Sequence, residues 1–257
     1  MNIPTQILFR EWDNSALARR SAASLGGDEV QVWLATMPTD EAGLNALALT
    51  LNPDECQRAE RFSVSEPRRQ FVFGRSVLRQ LLGACLNVEP AALVICCHPH
   101  GKPFLDAAGD LRFNLSHSGP LVAVALARGR EVGVDIESIQ HLDDWPLLTG
   151  RIFSPRELGE LNSTPEPQQR MAFFNGWTRK EAYLKATGEG LTDNLSAVEV
   201  TLATGKPKLL GLPAGPEAAR RWAIRSIPLP PDFAGAVVFE KCPDSGAASH
   251  GWFRLSE

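Results

Sequence analysis

Two carboxylates stand on a segment that otherwise resembles a buried strand, V-G-V-D-I-E-S-I at residues 132–139. Side chains alternate between the two faces of a strand, so the apolar residues face one side, and Gly133, Asp135 and Glu137 face the other. Side chains two residues apart begin about 6–7 Å apart, which lets two carboxylates bind one hard cation such as Mg²⁺. The pattern therefore predicts a cation site, with Gly133 leaving room for a ligand. The alternative is a half-exposed strand whose acids lie in water.

A second set of charged groups lies on a predicted helix, W-T-R-K-E-A-Y-L-K-A-T-G at residues 177–188. Trp177, Glu181 and Lys185 are spaced by four residues, so they share one stripe of the helix. A Glu–Lys pair at this spacing is also a common surface feature of little energetic weight. Together with the strand carboxylates, however, the helix offers a third ligand for Mg²⁺ and a cation for an anionic substrate. These are the groups that a phosphate-transfer site needs.

The segment F-N-L-S-H-S at residues 113–118 carries further polar groups. Ser116 and His117 are neighbours on a predicted strand and so face opposite sides, which makes them a poor serine–histidine nucleophile pair. The hydroxyl and the imidazole can instead each donate a hydrogen bond to phosphate oxygens. The alternative is that they cap the turn at Gly119 and Pro120.

Charge limits the partners of the chain. It has 26 Lys and Arg against 30 Asp and Glu, a formal charge of −4, so it lacks the broad positive surface that holds a nucleic-acid backbone. Arginines are nonetheless concentrated within residues 58–79, which predicts either a local anion site or a solvated helix face. These arginines are Arg58, Arg61, Arg68, Arg69, Arg75 and Arg79.

Length and composition fit a soluble globular chain of 257 residues with 44% hydrophobic residues, enough for one large domain or two ordinary ones. No basic stretch followed by an apolar run opens the sequence, and no segment approaches the roughly 18 apolar residues of a membrane span. Five cysteines, an odd number that includes the adjacent Cys96 and Cys97, favour reduced thiols. We therefore expect a cytoplasmic protein without a membrane partner.

Hydrophobic periodicity predicts the elements that position these groups. The predicted helices lie within residues 59–86 and 170–187, the second ending at Gly188. The predicted strands are 31–37, a meander of 111–118, 121–127 and 131–137, and then 197–202, 207–212 and 220–229. The end of the chain is typical of a loose tail. A faint repeat relates F-S-x-x-E at 62–66 to F-S-x-x-E at 153–157, which suggests two similarly built halves.

Five motifs occur together in one order: G-K-P-F-L, F-N-L-S-H-S, V-G-V-D-I-E, F-S-P-R-E-L and W-T-R-K-E-A-Y-L-K-A-T-G-E-G-L. In this order and spacing, over residues 55–200, the chain resembles the Sfp-type 4′-phosphopantetheinyl transferases. Those enzymes activate acyl and peptidyl carrier proteins. The joint occurrence of the strand motif and the long helix motif is what makes the resemblance specific.

The resemblance implies a role for each acidic group. In the family, two acids of the D-x-E strand and the glutamate of the helix motif bind Mg²⁺ beside the pyrophosphate of coenzyme A, which corresponds to Asp135, Glu137 and Glu181. Lys185 corresponds to the lysine that contacts phosphate. Glu157 matches the acid of the F-S-x-x-E segment, and we expect it near the entering hydroxyl or the metal.

The same resemblance implies the coenzyme A contacts. Ser116 and His117 correspond to residues that hold its phosphates, and the turn of Gly101, Lys102 and Pro103 corresponds to one that lies along the adenine nucleotide. Arginines upstream of that turn bind the 3′-phosphate in the family. The candidates are Arg69, which we rank first, and then Arg75, Arg61 and Arg58.

The implied fold is α+β, a pseudo-dimer of two similar subdomains, each a small antiparallel sheet packed against a long helix. We expect an N-terminal half at residues 1–128 that grips the coenzyme A nucleotide. A C-terminal half at 129–240 would bind Mg²⁺ and carry catalysis, and a tail would follow at 241–257.

The implied reaction moves phosphopantetheine from coenzyme A to a serine hydroxyl of an apo acyl or peptidyl carrier protein and releases 3′,5′-ADP, as a monomeric holo-[acyl-carrier-protein] synthase does. The group that takes the serine proton stays open between Glu181 and a water molecule at the metal. Two alternatives remain. A Mg²⁺-dependent nuclease uses similar groups, but net acidity disfavours it, and a non-catalytic module that binds coenzyme A or a carrier protein has no need of three acids at one metal.

Overall fold

The computed structural model describes residues 5–13, 15–106, 109–139, 144–190, 195–241 and, for the backbone alone, 249–252. The helices in these residues are α1 (Ala16–Ala23), α2 (Glu41–Ala48), α3 (Pro53–Glu60), α4 (Ser65–Leu86), α5 (Trp145–Ile152), α6 (Pro155–Ser163), α7 (Glu166–Thr187) and α8 (Pro216–Arg220). The strands are β1 (Gln6–Glu11), β2 (Glu29–Thr36), β3 (Ile95–Cys97), β4 (Pro103–Leu105), β5 (Leu111–Ser118), β6 (Leu121–Arg128), β7 (Val132–Ser138), β8 (Glu199–Val200), β9 (Leu209–Gly211), β10 (Trp222–Ser226), β11 (Phe233–Glu240) and β12 (Ser249–Trp252).

The strands form two main sheets. The larger sheet has the order β12-β1-β2-β6-β5, and the smaller one has the order β10-β11-β7. All neighbours in these sheets are antiparallel except β12–β1 and β1–β2, which are parallel. Helix α4 packs beside the larger sheet and α7 beside the smaller one. This is the two-part α+β architecture that the sequence predicted.

The two long helices are built alike. Each has 22 residues and ends at a residue in the left-handed conformation, Asn87 after α4 and Gly188 after α7. Each is preceded by a short helix with proline in its first turn and a capping box, N-P-D-E at 52–55 and S-P-R-E at 154–157. In each half the glutamate of that box pairs with a cation at the fifteenth residue of the long helix. The two pairs are Glu55–Arg79 and Glu157–Lys180.

The internal repeat is therefore present, but it relates different residues from those that the sequence comparison aligned. The sequence comparison matched residues 153–157 with 62–66, whereas the structure gives the role of 154–157 to residues 52–55. The cause is that asparagine and serine cap helices equally well, so the two boxes share chemistry without sharing letters.

Strand β7 departs from the predicted meander. β5 and β6 pair as expected, but β7 pairs with β11 in the smaller sheet, so the prediction of a three-strand meander is wrong. The backbone N–H groups of β7 that face β5 bind side chains of β5 instead of its backbone. The predicted division of faces is confirmed, because Val132, Val134 and Ile136 lie in the apolar core between the two sheets.

Helix α7 lies directly on the other face of β7. A Cβ atom added at Gly133 would lie 2.1 Å from the carbonyl oxygen of Ala182 and 2.4 Å from the backbone nitrogen of Ala186. Gly133 therefore makes room for the helix, and the prediction that it leaves space for a ligand is wrong. The close approach brings the stripe of Glu181 and Lys185 down to the level of Asp135.

The ends of the chain differ from the sequence expectation. Residues 6–11 and 233–240 form strands that periodicity did not identify, and residues 249–252 form β12 where we expected a tail. β12 pairs in parallel with β1, whose edge otherwise presents unbonded N–H and C=O groups. The other residues of the expected tail, 242–248 and 253–257, lie outside the described residues.

Four cysteines, Cys56, Cys85, Cys96 and Cys97, carry free thiols, and Cys242 lies outside the described residues. Within the described ranges, no helix combines the length and apolar character needed to cross a bilayer.

Candidate active site

Asp135 is the most buried of the three predicted metal ligands, with 3% of its surface exposed. Its Oδ1 accepts hydrogen bonds from Ser116 Oγ at 3.0 Å and from Lys185 Nζ at 2.7 Å. Its Oδ2 is buried and has no partner within the described residues. Burial raises the pKa of Asp135, and the Lys185 ammonium opposes that rise. The carboxylate thus keeps one uncompensated oxygen in a setting of low polarity.

The other two carboxylates face the same point. Glu181 is 7% exposed, and its buried Oε1 also lacks a partner among the described residues. Burial and the charge of Asp135 raise the pKa of Glu181 to about 7. The same two causes raise the pKa of Glu137 to about 7. Asp135 therefore lies close enough to Glu137 and Glu181 for its charge to disfavour theirs.

This arrangement fits a divalent cation. Within the described residues, no three carboxylate, imidazole or thiolate groups are placed to hold a metal ion as they stand, and Lys185 neutralises Asp135 instead. Unpaired buried oxygens on Asp135 and Glu181, and pKa values of Glu137 and Glu181 raised first by burial and then by neighbouring carboxylates, are expected of clustered acids that lack a balancing cation. Carboxylate oxygens are the donors that Mg²⁺ prefers.

A row of side chains from β5 holds β7 in place; we call Asn114, Ser116 and Ser118 the polar seam. Their oxygens accept hydrogen bonds from the backbone N–H groups of Val134, Ile136 and Ser138 at 2.9, 3.3 and 2.9 Å, respectively. Ser118 also donates to Glu137 Oε2 at 3.1 Å. The seam therefore contacts both the backbone and the acids of β7.

Ser116 is fully engaged in this network. Its hydroxyl donates to Asp135 and accepts from the Ile136 N–H and, at 3.0 Å, from Lys185 Nζ. One proton and two lone pairs are thus all in use, so this arrangement leaves Ser116 no free group for a phosphate. His117 points to the opposite side, as the alternation predicted.

Two adjacent cavities open beside these groups. The first has a volume of about 240 Å³, and its lining includes Gly101, Lys102, Pro103, Glu181 and Lys185. The second has a volume of about 290 Å³, and its lining includes Arg58, Arg75 and His117. Leu115 lines both cavities, so the two lie side by side. Desolvation and the charge of Lys185 lower the pKa of His117.

Arg75 is the predicted arginine best placed to receive an anion. Its side chain is 13% exposed, and its Nε lies 3.3 Å from Glu55 Oε1. Its Nη1 is buried without a partner among the described residues. Burial lowers the pKa of Arg75, a shift that a bound anion would oppose. Arg58 lies over the ring of Phe71, 4.9 Å from its centroid, at the exposed side of the same cavity.

Arg69, which the sequence ranked first, is engaged elsewhere. Its guanidinium pairs with the carboxylate of Glu41 and donates to the Pro38 carbonyl at 2.9 Å. Arg61 is exposed and binds the side chain of Gln57. The described cavities do not include either arginine in their linings. Along a helix successive residues turn by about 100°, so arginines close in sequence face different neighbours.

The turn of Gly101, Lys102 and Pro103 is fastened to the end of α7. Lys102 Nζ donates to the Ala186 carbonyl at 2.6 Å and pairs with Glu131 at 2.6 Å. Gly101 has a φ of 86°, which glycine adopts without strain. The Lys102 charge is therefore already balanced, and its contacts hold the turn at the edge of the first cavity.

Glu157 lies apart from the three clustered acids. It is fully buried, and its Oε2 accepts from Lys180 Nζ at 2.6 Å and from the Ser154 N–H at 2.8 Å. Its Oε1 accepts from the Val200 N–H at 2.8 Å. Because both oxygens are satisfied, this geometry does not support the expectation that Glu157 meets the metal or the entering hydroxyl. Its contacts join α6, α7 and β8.

Sequence reasoning missed the seam roles of Asn114 and Ser118. The signal was available, because both residues alternate with Ser116 on one face of a predicted strand. The alternation does not show what these side chains bind, because that depends on the neighbouring strand β7.

Comparisons with known proteins agree with these features. Residues 131–238 match the family model described as the 4′-phosphopantetheinyl transferase superfamily, and residues 35–128 match the one described as 4′-phosphopantetheinyl transferase, N-terminal. The 4′-phosphopantetheinyl transferase HetI of Nostoc sp. is 38% identical over 232 residues, 89% of this chain and 92% of that protein. A 4′-phosphopantetheinyl transferase of Bacillus subtilis is 28% identical over 65% of this chain and 73% of that protein.

Among solved structures, a holo-(acyl-carrier-protein) synthase from Bacillus anthracis in complex with coenzyme A (3′,5′-ADP) aligns with a TM-score of 0.36 and 21% identity. The alignment covers 43% of this chain and 95% of that one.

The α+β fold, the carboxylate cluster between its halves and a sequence match that covers 89% of the chain together define the class of protein. The chain belongs to the 4′-phosphopantetheinyl transferase superfamily.

Proposed function

We propose that the protein transfers 4′-phosphopantetheine from coenzyme A to a serine hydroxyl of an apo acyl or peptidyl carrier protein and releases 3′,5′-ADP. The observation that carries this proposal is the convergence of Asp135, Glu137, Glu181 and Lys185 beside two adjacent cavities with basic linings. Family membership supplies the reaction class.

Coenzyme A would lie across both cavities. Its 3′-phosphate would lie in the second cavity, where Arg75 has a buried N–H without a partner among the described residues and where Arg58 and His117 add donors. The turn at residues 101–103 would lie along the nucleotide at the first cavity. We accordingly propose Arg75 ahead of Arg69 as the 3′-phosphate ligand.

Asp135, Glu137 and Glu181 would hold Mg²⁺, which when bound withdraws electron density from the pyrophosphate oxygens and offsets their charge. The two buried oxygens without partners, on Asp135 and Glu181, support this assignment. Lys185, now paired with Asp135 at 2.7 Å, would exchange that ion pair for one with a phosphate oxygen of coenzyme A.

The transfer step forms one bond and breaks one bond. The serine oxygen attacks the β-phosphorus, the bond from that phosphorus to the bridging oxygen breaks, and 3′,5′-ADP leaves with the electron pair. Lys185 stabilises the charge that develops on the phosphate oxygens. The serine proton passes to a carboxylate oxygen of Glu181 or to a water molecule beside the cation.

The carrier protein and the oligomeric state are finer proposals. Carrier proteins are typically acidic around the modified serine, so we expect a basic or apolar docking patch beside the site despite the net charge of −4. We propose that the protein acts as a monomer, because both halves of the site lie in one chain, and that it serves as a holo-[acyl-carrier-protein] synthase.

The test is mass spectrometry of apo carrier proteins from fatty acid, polyketide and nonribosomal peptide systems, incubated with coenzyme A and Mg²⁺. We expect addition of phosphopantetheine to serine in at least one carrier. Asp135→Ala should abolish transfer, whereas Asp110→Ala, which removes an exposed acid paired with Arg128, should not. Unmodified carriers throughout, or full activity of Asp135→Ala, would contradict the proposal, and cleavage of plasmid by the same sample would favour the nuclease.

A further inference from the structure

The polar seam replaces backbone pairing between β5 and β7. Its three acceptors are two residues apart on β5, and their N–H partners are two residues apart on β7, so the register is constant along the seam. The N–H groups of Val134, Ile136 and Ser138 thus each bind a side chain of β5 in place of a carbonyl. The seam crosses from one half of the fold to the other at the carboxylates.

The seam hydroxyls also orient the acids. Ser116 donates to Asp135, and Ser118 donates to Glu137 Oε2 at 3.1 Å. A hydroxyl has one proton and two lone pairs, and accepting a backbone N–H fixes the direction of one lone pair. The N–H groups of β7 therefore orient the serine hydroxyls, and each O–H then points to a carboxylate on the same strand.

The two acids differ in how firmly they are held. Asp135 is buried and has two hydrogen-bond partners, Ser116 and Lys185. Glu137 is only half-buried, and within the described residues Ser118 is its one hydrogen-bond partner. Glu137 is therefore the acid whose position depends on a single seam residue.

We propose that Ser118 is a positioning residue for the cation site: it holds Glu137 so that its second oxygen stays beside those of Asp135 and Glu181. The proposal rests on the proposed function only in that the three acids bind a divalent cation. Partners that orient metal ligands typically change metal affinity by about 10- to 100-fold when removed.

The experiment measures Mn²⁺ binding to the full-length protein by electron paramagnetic resonance, without coenzyme A or carrier. We expect Ser118→Ala to bind Mn²⁺ about 10-fold or more weakly than the natural chain. Ser118→Thr keeps the hydroxyl and should stay within about 3-fold, which is a rescue that a general packing defect would not show. Circular dichroism verifies the fold of each variant.

Ser76→Ala is the matched control. Ser76 is fully buried in α4, and its hydroxyl donates to the Leu47 carbonyl at 2.8 Å, away from the acids. Its loss should lower the free energy of unfolding by about 1 kcal/mol, the usual value of one hydrogen bond, without changing Mn²⁺ affinity.

Three results would overturn the seam proposal: Ser118→Ala with the Mn²⁺ affinity of the natural chain, Ser76→Ala weakened as much as Ser118→Ala, or no Mn²⁺ binding at all. Transfer activity is measured separately on the natural chain. If transfer fails while the Mn²⁺ series holds, the proposed reaction fails and the seam stands. If transfer succeeds and all variants bind Mn²⁺ with the same affinity, only the seam proposal fails.

Discussion

Replacing Glu181 by glutamine should make the cation-free protein more stable while it destroys the cation site. Glu181 is 7% exposed, its Oε1 lacks a partner among the described residues, and burial and Asp135 raise its pKa from 4.5 to about 7. A carboxyl group with a raised pKa favours the folded state when protonated, so its contribution to stability is complete below pH 4.5 and is lost as the pH rises through 7.

The size of the effect follows from that shift. Each pKa unit corresponds to about 1.4 kcal/mol, so the rise sets an upper limit of about 3 kcal/mol for one isolated group. The acids titrate together, and part of the penalty stays with Glu137 and Asp135, which leaves about 1–3 kcal/mol for the substitution. Glutamine keeps the shape of the side chain and carries no charge, so it avoids this penalty.

The assay is urea unfolding with a chelator at about pH 5 and about pH 8. At the higher pH, Glu181→Gln should exceed the natural chain by about 1–3 kcal/mol in free energy of unfolding, and the difference should shrink at the lower pH. Added Mg²⁺ should stabilise the natural chain but not the variant. Glu157→Gln is the opposite control, because it leaves the fully buried Lys180 without its counter-charge and should lower stability by about 3–5 kcal/mol.

A Glu181→Gln variant less stable than the natural chain at about pH 8, or one still stabilised by Mg²⁺, would refute the reasoning. The first result would mean that the acids do not repel one another in the folded state. The second would mean that the cation binds elsewhere.

Two other substitutions test the placement of elements around the site. Gly133→Ala should lower the free energy of unfolding by about 2–4 kcal/mol, because the added Cβ would lie 2.1 Å from the backbone of α7. Gly159→Ala has open space around it and should change the free energy of unfolding by less than about 1 kcal/mol. Equal effects of the two substitutions in urea unfolding would contradict the close contact. Arg75→Ala should raise the KM for coenzyme A about 10-fold or more, because Arg75 has a buried N–H without a partner among the described residues. Arg69→Ala should change that KM less than about 2-fold, because Arg69 is engaged with Glu41. Steady-state kinetics with an apo carrier protein that the enzyme modifies measures both, and the reverse order would restore Arg69 as the phosphate ligand.

The assignment of groups to strand faces needed no tertiary information. Alternation alone placed Asp135 and Glu137 opposite the apolar residues of β7, and a four-residue spacing alone placed Glu181 and Lys185 on one stripe of α7. Both patterns follow from the geometry of a single element.

The sequence could not show which of several chemically similar residues lies at the site. Arg69 and Arg75 are the same residue type and differ only in direction around α4. Packing against α2 engages Arg69, whereas Arg75 keeps a buried N–H that has no partner in the described part of the chain. Glu157 matched a motif acid as well as Glu181 did, yet a buried Lys180 satisfies it.

The sequence by itself determined which face of β7 carries Asp135 and Glu137, which stripe of α7 carries Glu181 and Lys185, and where the long helices end, because each of these depends on periodicity or on capping within one element. Only the tertiary structure decided that β7 joins β11 rather than β6, that Gly133 admits a helix, and that Ser118 holds Glu137. These depend on contacts between segments far apart in the chain, and such contacts are selected by the packing of whole faces, which no local pattern specifies.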